Sequence, residues 1–210
     1  MLSVIIPCLN EADGIAESLR ALALLRARGV EIVVVDGGSA DNTAAVARPL
    51  ADQDINAPRG RARQMNTGAA HARGDILLFL HADCRLPVAA DGLIIDGLNR
   101  ARKTWGRFDV TLAGRHPMLR VVGAMMNLRS RLTGIATGDQ GIFVTRALFE
   151  TAHFARRMTD RPAHLARQFL GDRVLPCHQR IDRARHKRRT RGQWCIPPCT
   201  LRQFGTSERG

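Results

Sequence analysis

The chain runs to 210 residues, 45% of them hydrophobic, with 32 Lys and Arg against 19 Asp and Glu for a formal charge of +13. That suffices for one substantial core in one domain, and no apolar stretch reaches the roughly 18 residues that a membrane-spanning helix needs. Five cysteines lie scattered along an α/β pattern, and the chain enters its first strand without the basic and apolar segments of a secretory signal. Both features point to free thiols in a reducing cytoplasm.

The first expected element is a strand within the run 2–11, β-branched and aliphatic until it stops at Asn10-Glu11. A helix over 11–28 follows, with Ile15, Leu19, Leu22 and Leu25 at near-helical spacing and Gly29 as its stop. Residues 32–35 form a second strand ending at Asp36-Gly37-Gly38, and Ser39 is placed to cap a helix that Pro49 terminates. A short extended piece at 54–56 leads into the tract 60–68, a helical stretch to Arg73, a Gly74 stop and a strand at 76–80. Beyond Pro87 come a helix through Arg102 and a strand near 107–112. A helix over 117–132 has Met118, Val122, Met125 and Met126 on one face, with Arg120, Arg129 and Arg131 among its polar positions. A loop from Thr137 then enters a last strand. Alternation of this kind predicts an α/β fold with a mostly parallel, Rossmann-like sheet, right-handed crossovers and flanking helices.

The apolar runs 2–11, 31–41 and 75–83 all end in acid-bearing turns. Ligands of open α/β sheets bind outside the carboxyl ends of the strands, so Glu11, Asp36 and Asp83 are expected to share one crevice. A metal–nucleotide ligand accounts for three acids there. Asp83, directly after a buried strand, suits Mg2+ or Mn2+ bridging two phosphates, because hard cations combine a few protein oxygens with phosphate oxygens. Its alternative is an acid capping the next turn. Asp36 suits a base N–H or ribose hydroxyl, or else it closes the turn before Gly37-Gly38. Glu11 has the helix dipole as its alternative, Arg63 a solvated place at a helix start, and His81 a packed position at a strand terminus.

Other chemistries lose ground. Neither a Gly-x-Gly-x-x-Gly fingerprint nor a phosphate loop nor a Gly-x-Ser-x-Gly elbow occurs, which argues against dinucleotide hydride transfer, P-loop hydrolysis and serine-elbow hydrolysis. His178, His186, Cys195 and Cys199 fit no common zinc-finger spacing.

The ordered series 3–11, 34–43 and 69–83 resembles family 2 glycosyltransferases of the GT-A fold. The tract 60–68, with 78–83 and Thr137-Gly-Asp-Gln-Gly141, resembles more narrowly the radical-SAM/selenodomain-associated "transferase 2" subgroup. The likeness covers about residues 1–150. It implies an inverting transferase that takes a nucleotide-diphospho-sugar donor, often a UDP-sugar, with a divalent metal, Mg2+ or Mn2+. On that resemblance Pro7, Asn10, Glu11, Asp36 and Arg63 hold the nucleoside and Asp83 holds the metal. A carboxylate deprotonates the acceptor hydroxyl as the nucleoside diphosphate leaves.

Two departures stand out. His81 occupies the place, two before Asp83, where the family often has an Asp, although the subgroup commonly shows His there. The family also draws its catalytic base from a Glu-Asp pair after the Gly-Asp-Gln loop, and no such dipeptide occurs in the remaining chain. Asp139 is then the candidate substitute base, with a plain turn acid as its alternative.

The family pattern breaks off where the charge jumps. Residues 1–150 hold 18 Lys and Arg against 15 Asp and Glu, whereas residues 151–210 hold 14 against 4. The segment 151–210 therefore reads as a basic, atypical tail without the pattern of an ordered domain, and as the frameshifted translation of the normal C-terminal region. A genuine basic tail is the alternative. Such a tail raises rival functions: an inactive nucleotide-sugar-fold protein, or a binder of nucleic acid or anionic surfaces. No nucleic-acid module is recognisable, so no specific nucleic acid is expected as a partner. The acceptor stays unassigned, with a lipid as one option. The helix 117–132 reads either as a peripheral contact with the inner face of the cell membrane or as an ordinary core helix.

Overall fold

The computed structural model describes residues 1–134, 136, 138–151 and 175–183. Strands whose sequences are apolar on both sides must be covered on both faces, and the first strands meet that demand in one sheet. Its members are β1 (Leu2–Cys8), β2 (Glu31–Asp36), β3 (Gln53–Asn56), β4 (Ile76–Phe79), β5 (Cys84–Arg85), β6 (Trp105–Leu112), β7 (Ile142–Thr145) and β8 (Leu175–Arg183), in the order β3-β2-β1-β4-β7-β6-β8-β5. The helices are α1 (Ala12–Ala21), α2 (Ala23–Ala27), α3 (Thr43–Ala47), α4 (Arg61–His71), α5 (Ala90–Ala101), α6 (Met118–Thr133) and α7 (Arg146–Thr151).

Alternate residues of the strands feed two buried layers. Val4, Ile6, Ile32 and Val34 pack with Ile15, Leu19 and Leu22 of the α1–α2 segment and with Ile94 and Leu98 of α5. Ile5, Val33 and Val35 pack with Met65 and Ala69 of α4 and with Phe149 of α7. Helix α4 lies directly on the central strands. A Cβ at Gly68 would stand 2.5 Å from Ile5 Cγ2 and 2.9 Å from Val35 Cγ2, so only glycine allows this approach.

The expectation of parallel strands holds for β1 against β2 and β4, for β2 against β3 and for β6 against β8. It fails around β7, which runs antiparallel to both β4 and β6, while β5 is antiparallel to β8. The cause is the connection after α6. It returns the chain to the C-terminal end of β4, so β7 starts opposite Phe79 and runs back.

Local differences have equally local causes. The helix expected over 11–28 is two helices that meet at Leu22. Ser39 caps no helix, because the Asp36 carboxylate takes both its backbone N–H and its hydroxyl, and α3 begins only at Thr43. As expected, α3 stops just before Pro49, at Ala47 with Arg48 as its C-cap, and Pro49 itself sits in a 3-10 turn, Arg48–Leu50. Helix α6 packs on β6 with Gly123 and Ser130 inward, while Met125 is 65% and Leu132 76% exposed. Among the described residues, no helix is long and apolar enough to cross a membrane.

Candidate active site

The chain leaves β1 for β2 and β3 on one side, then returns to β4 on the other side of β1. The strand order thus reverses between β1 and β4, where open α/β sheets form their ligand crevice. Asn10 and Glu11 follow β1, the turn 36–39 follows β2, and Asp83 lies four residues beyond the last residue of β4.

The first two of these loops are pinned to each other. Asn10, at φ +53°, donates its backbone N–H to Ser39 Oγ at 2.9 Å, and its Oδ1 accepts from Ala40 N at 2.8 Å. The Glu11 backbone N–H donates to Thr43 Oγ1 at 2.8 Å and that of Ala12 to Asp41 Oδ2 at 3.2 Å. Asp36 is buried, and its Oδ2 accepts from the backbone N–H groups of Gly38 at 3.1 Å and Ser39 at 2.9 Å. The Asp36 carboxylate thus also braces the turn that follows β2. Below it, burial and then the Asp36 charge push the Cys8 thiol up to about 12, which keeps Cys8 a neutral donor. Pro7 is half-buried in β1, and Arg63 is exposed on the first turn of α4.

Gln64 carries a function that no sequence pattern marks. Its buried Nε2 donates to Cys8 O at 2.7 Å and to Val35 O at 2.8 Å, joining the ends of β1 and β2 to α4. The backbone of the turn rests on the same amide, since a Cβ at Gly37 would lie 3.0 Å from Gln64 Cδ.

At the end of β4, His81 is buried and Asp83 half-buried, and Cys84 Sγ donates to Asp83 Oδ1 at 3.6 Å. His81, Asp83 and Cys84 each place one potential ligand atom within 4.8 Å of the others. One carboxylate with a neighbouring imidazole fits Mg2+ or Mn2+ when phosphate oxygens complete the shell. The 3-10 turn Gly138–Gln140 closes over this point: a Cβ at Gly138 would come within 2.9 Å of His81 Cε1. Asp139, the substitute-base candidate, is the next residue of that turn.

A buried ionic cluster backs the turn, and the sequence signalled it only by a charged pair inside an otherwise apolar strand. Arg107, fully buried, donates to Asp109 Oδ1 at 2.8 Å, and Arg131 of α6 pairs with Asp109 Oδ2. Burial pushes the Arg107 guanidinium down from its ordinary value while Asp109 opposes the shift. Asn127 of α6 spans from Val110 of β6 to Gln140, whose Nε2 lies 3.4 Å from Asn127 Oδ1.

A parallel half-sheet with ordered strand-end loops, continued by antiparallel strands, defines the GT-A class of glycosyltransferase folds. The model of "Glycosyl transferase family 2" matches residues 3–152, and the chain belongs to that family. An undecaprenyl-phosphate 4-deoxy-4-formamido-L-arabinose transferase of Pseudomonas aeruginosa is 30% identical over 165 residues, covering 67% of this chain and 45% of that protein. The chain spans about half the length of the curated relatives it matches, from 43% to 61% of each. Solved structures of glycosyltransferases share the fold. The mannosyltransferase PcManGT of Pyrobaculum calidifontis, in complex with GDP-Man and Mn2+, has a TM-score of 0.63 and 24% identity over 89% of this chain and 57% of that one. S. aureus TarS 1–349 in complex with UDP-GlcNAc has a TM-score of 0.58 and 20% identity over 72% of this chain and 47% of that one.

The loops after β1 and β2, which carry Asn10, Glu11 and Asp36, are hydrogen-bonded to each other, and Asp83 follows β4, the strand beside β1. Sequence reasoning missed Gln64, Ser39, Asp41 and Thr43, which hold the first two of those loops together. His178 lies in β8, where the backbone alone is described, and His186, Cys195 and Cys199 lie outside the described residues, as do 152–174 and 184–210 of the basic tail.

Proposed function

We propose that this chain transfers a sugar from a nucleotide-diphospho-sugar, first of all a UDP-sugar, to an acceptor by a single in-line displacement with inversion. The observation that carries the reading is the placement of the three acid-bearing loops after the neighbouring parallel strands β2, β1 and β4, with the Gly138 turn set against His81. Pro7, Asn10, Glu11, Asp36 and Arg63 hold the nucleoside. Cross-links between the two loops fix them before the donor arrives, which lowers the ordering cost of binding. Asp83, beside His81, would hold Mg2+ or Mn2+, and the ion would supply positive charge to the leaving nucleoside diphosphate.

Asp139 receives the proton of the acceptor hydroxyl while its oxygen bonds to the anomeric carbon and the bond from that carbon to the diphosphate oxygen breaks. A GT-A neighbour holding GDP-Man and Mn2+, and another holding UDP-GlcNAc, support the donor and metal assignments. Relatives named for transfer to undecaprenyl phosphate support a lipid acceptor. Residues 151–210 are read as a frameshifted or otherwise atypical replacement of the family's C-terminal segment, which is why the base falls to Asp139 rather than to a Glu-Asp pair.

Calorimetric titration with UDP and Mn2+ tests the reading. The wild type is expected to bind UDP in a Mn2+-dependent way, and Asp83→Ala to lose that dependence. Absence of metal-dependent binding in the wild type overturns the function and leaves the fold intact.

A further inference from the structure

Helix α6 is amphipathic in the opposite sense to a helix packed on a sheet. At 100° per residue, Gly123, Asn127 and Ser130 share one side, and that side meets β6. A Cβ at Gly123 would lie 3.5 Å from Val110 O. Asn127 accepts from Val110 N at 2.9 Å and donates to Val110 O at 3.0 Å. Ser130 is wholly buried. The opposite side carries Val121, Met125, Leu128 and Leu132, bordered by Met118 and Val122, all between 40% and 76% exposed. Small and polar groups therefore face the sheet, and the large apolar side chains face away from it.

Charge says what meets that face. Helix α6 contains no acidic residue, Arg120 stands on one border of the stripe and Arg129 on the other, and Arg115 precedes the helix, while Arg131 is turned inward onto Asp109. An apolar stripe framed by arginines matches a surface that is apolar inside and anionic at its boundary, which is an acidic phospholipid bilayer. We propose that the outer face of α6 docks this protein onto an anionic phospholipid membrane surface.

The same helix reaches the site from its inner side. Asn127 contacts Gln140, and Gln140 belongs to the turn whose Gly138 lies against His81. Docking through the outer face therefore sets the strand-end crevice one helix away from the lipid surface. The delivery of a lipid-borne acceptor rests on the transferase reading; the docking itself does not.

The test sediments the full chain with vesicles of phosphatidylglycerol and phosphatidylcholine, and with phosphatidylcholine alone. The wild type is expected to bind the anionic vesicles and to bind neutral ones far more weakly. The basic segment 151–210 attracts anionic vesicles by charge alone, so apolar variants make the discrimination. Met125→Glu with Leu128→Glu is expected to lower partitioning at least about tenfold, and Arg120→Gln about fivefold. Circular-dichroism unfolding verifies that both variants stay folded, and the UDP titration is expected to be unchanged in them. Hydrogen exchange is expected to slow along α6 when anionic vesicles are added. Three results overturn the proposal. One is equal partitioning of wild type and the double Glu variant. Another is a lipid-free dimer that the double variant dissociates, which assigns the face to a second copy. The last is full protection of α6 in the lipid-free monomer, which assigns it to the protein's own chain.

Discussion

Replacing Gln64 by Met keeps the length and bulk of the side chain and removes its amide. The residue is 4% exposed, so water cannot take over the two acceptors. Cys8 O keeps the Gly37 N–H at 3.0 Å, and Val35 O keeps its place in the β1–β2 ladder with the Cys8 thiol at 3.6 Å. Two buried carbonyls thus each lose the amide donor. At about 0.5–1.5 kcal/mol for each hydrogen bond lost, the expected loss is about 1–3 kcal/mol. In a chain of this size that lowers Tm by roughly 2–12 °C. The consequence for binding follows from the same contact. The turn at Gly37 rests on the Gln64 amide, so the β2 loop loosens and must be ordered by the ligand. UDP affinity should then fall on the order of tenfold. Urea unfolding and calorimetric titration on the same preparation read both effects. A Tm change below about 2 °C with unaltered UDP binding would refute the idea that Gln64 joins the strand ends to the nucleoside loop.

Asp109→Asn leaves the fully buried Arg107 guanidinium facing neutral acceptors and releases Arg131, and breaking such a pair costs about 3–5 kcal/mol. Urea denaturation of the variant measures that loss directly. Burial alone would raise the Glu31 carboxyl, but hydrogen bonds from Ser3 Oγ at 2.5 Å, Arg73 N at 2.7 Å and Gln53 Nε2 at 2.7 Å outweigh it and hold the carboxyl below its ordinary value. A carboxylate lowered by folding stabilises fully above its unfolded pKa, about 4.3, and ceases to do so as pH falls through its folded value. Unfolding midpoints of wild type and Glu31→Gln, followed from pH 6 to pH 3, should converge as the medium becomes acidic.

The strands of the first half were legible because burial on both faces leaves an unbroken apolar run, as at 2–8, 31–36 and 76–79. What escaped were features set by groups far apart in sequence. Leu22 ends α1 inside a run of good helix formers, where spacing gives no warning. Ser39 looks like a helix cap until Asp36, three residues earlier, captures it. A Gln within a helix has no periodic signature, so Gln64 declared itself only when the ends of β1 and β2 came together above it. The apolar face of α6 was visible as a pattern, but its direction was not. Periodicity finds a stripe without saying whether protein lies on it, and here the glycine and serine positions decide the inward side.

The two halves of the site also differ in how they are specified. The loops proposed for the donor each follow a parallel strand, so local sequence places them at one edge once the sheet forms. The turn Gly138–Gln140 reaches that edge because β7 runs antiparallel, with Ile142 opposite Phe79 at the end of β4. Had the four residues of β7 run parallel to β4, the turn before them would lie at the opposite edge, about 13 Å away. Asp139 is therefore a candidate base through strand direction rather than through its own neighbours. Strand β6 pairs antiparallel to β7 and carries Arg107 and Asp109 of the Arg107–Asp109–Arg131 cluster, so a buried ionic network remote from the donor loops supports the strand against which β7 runs.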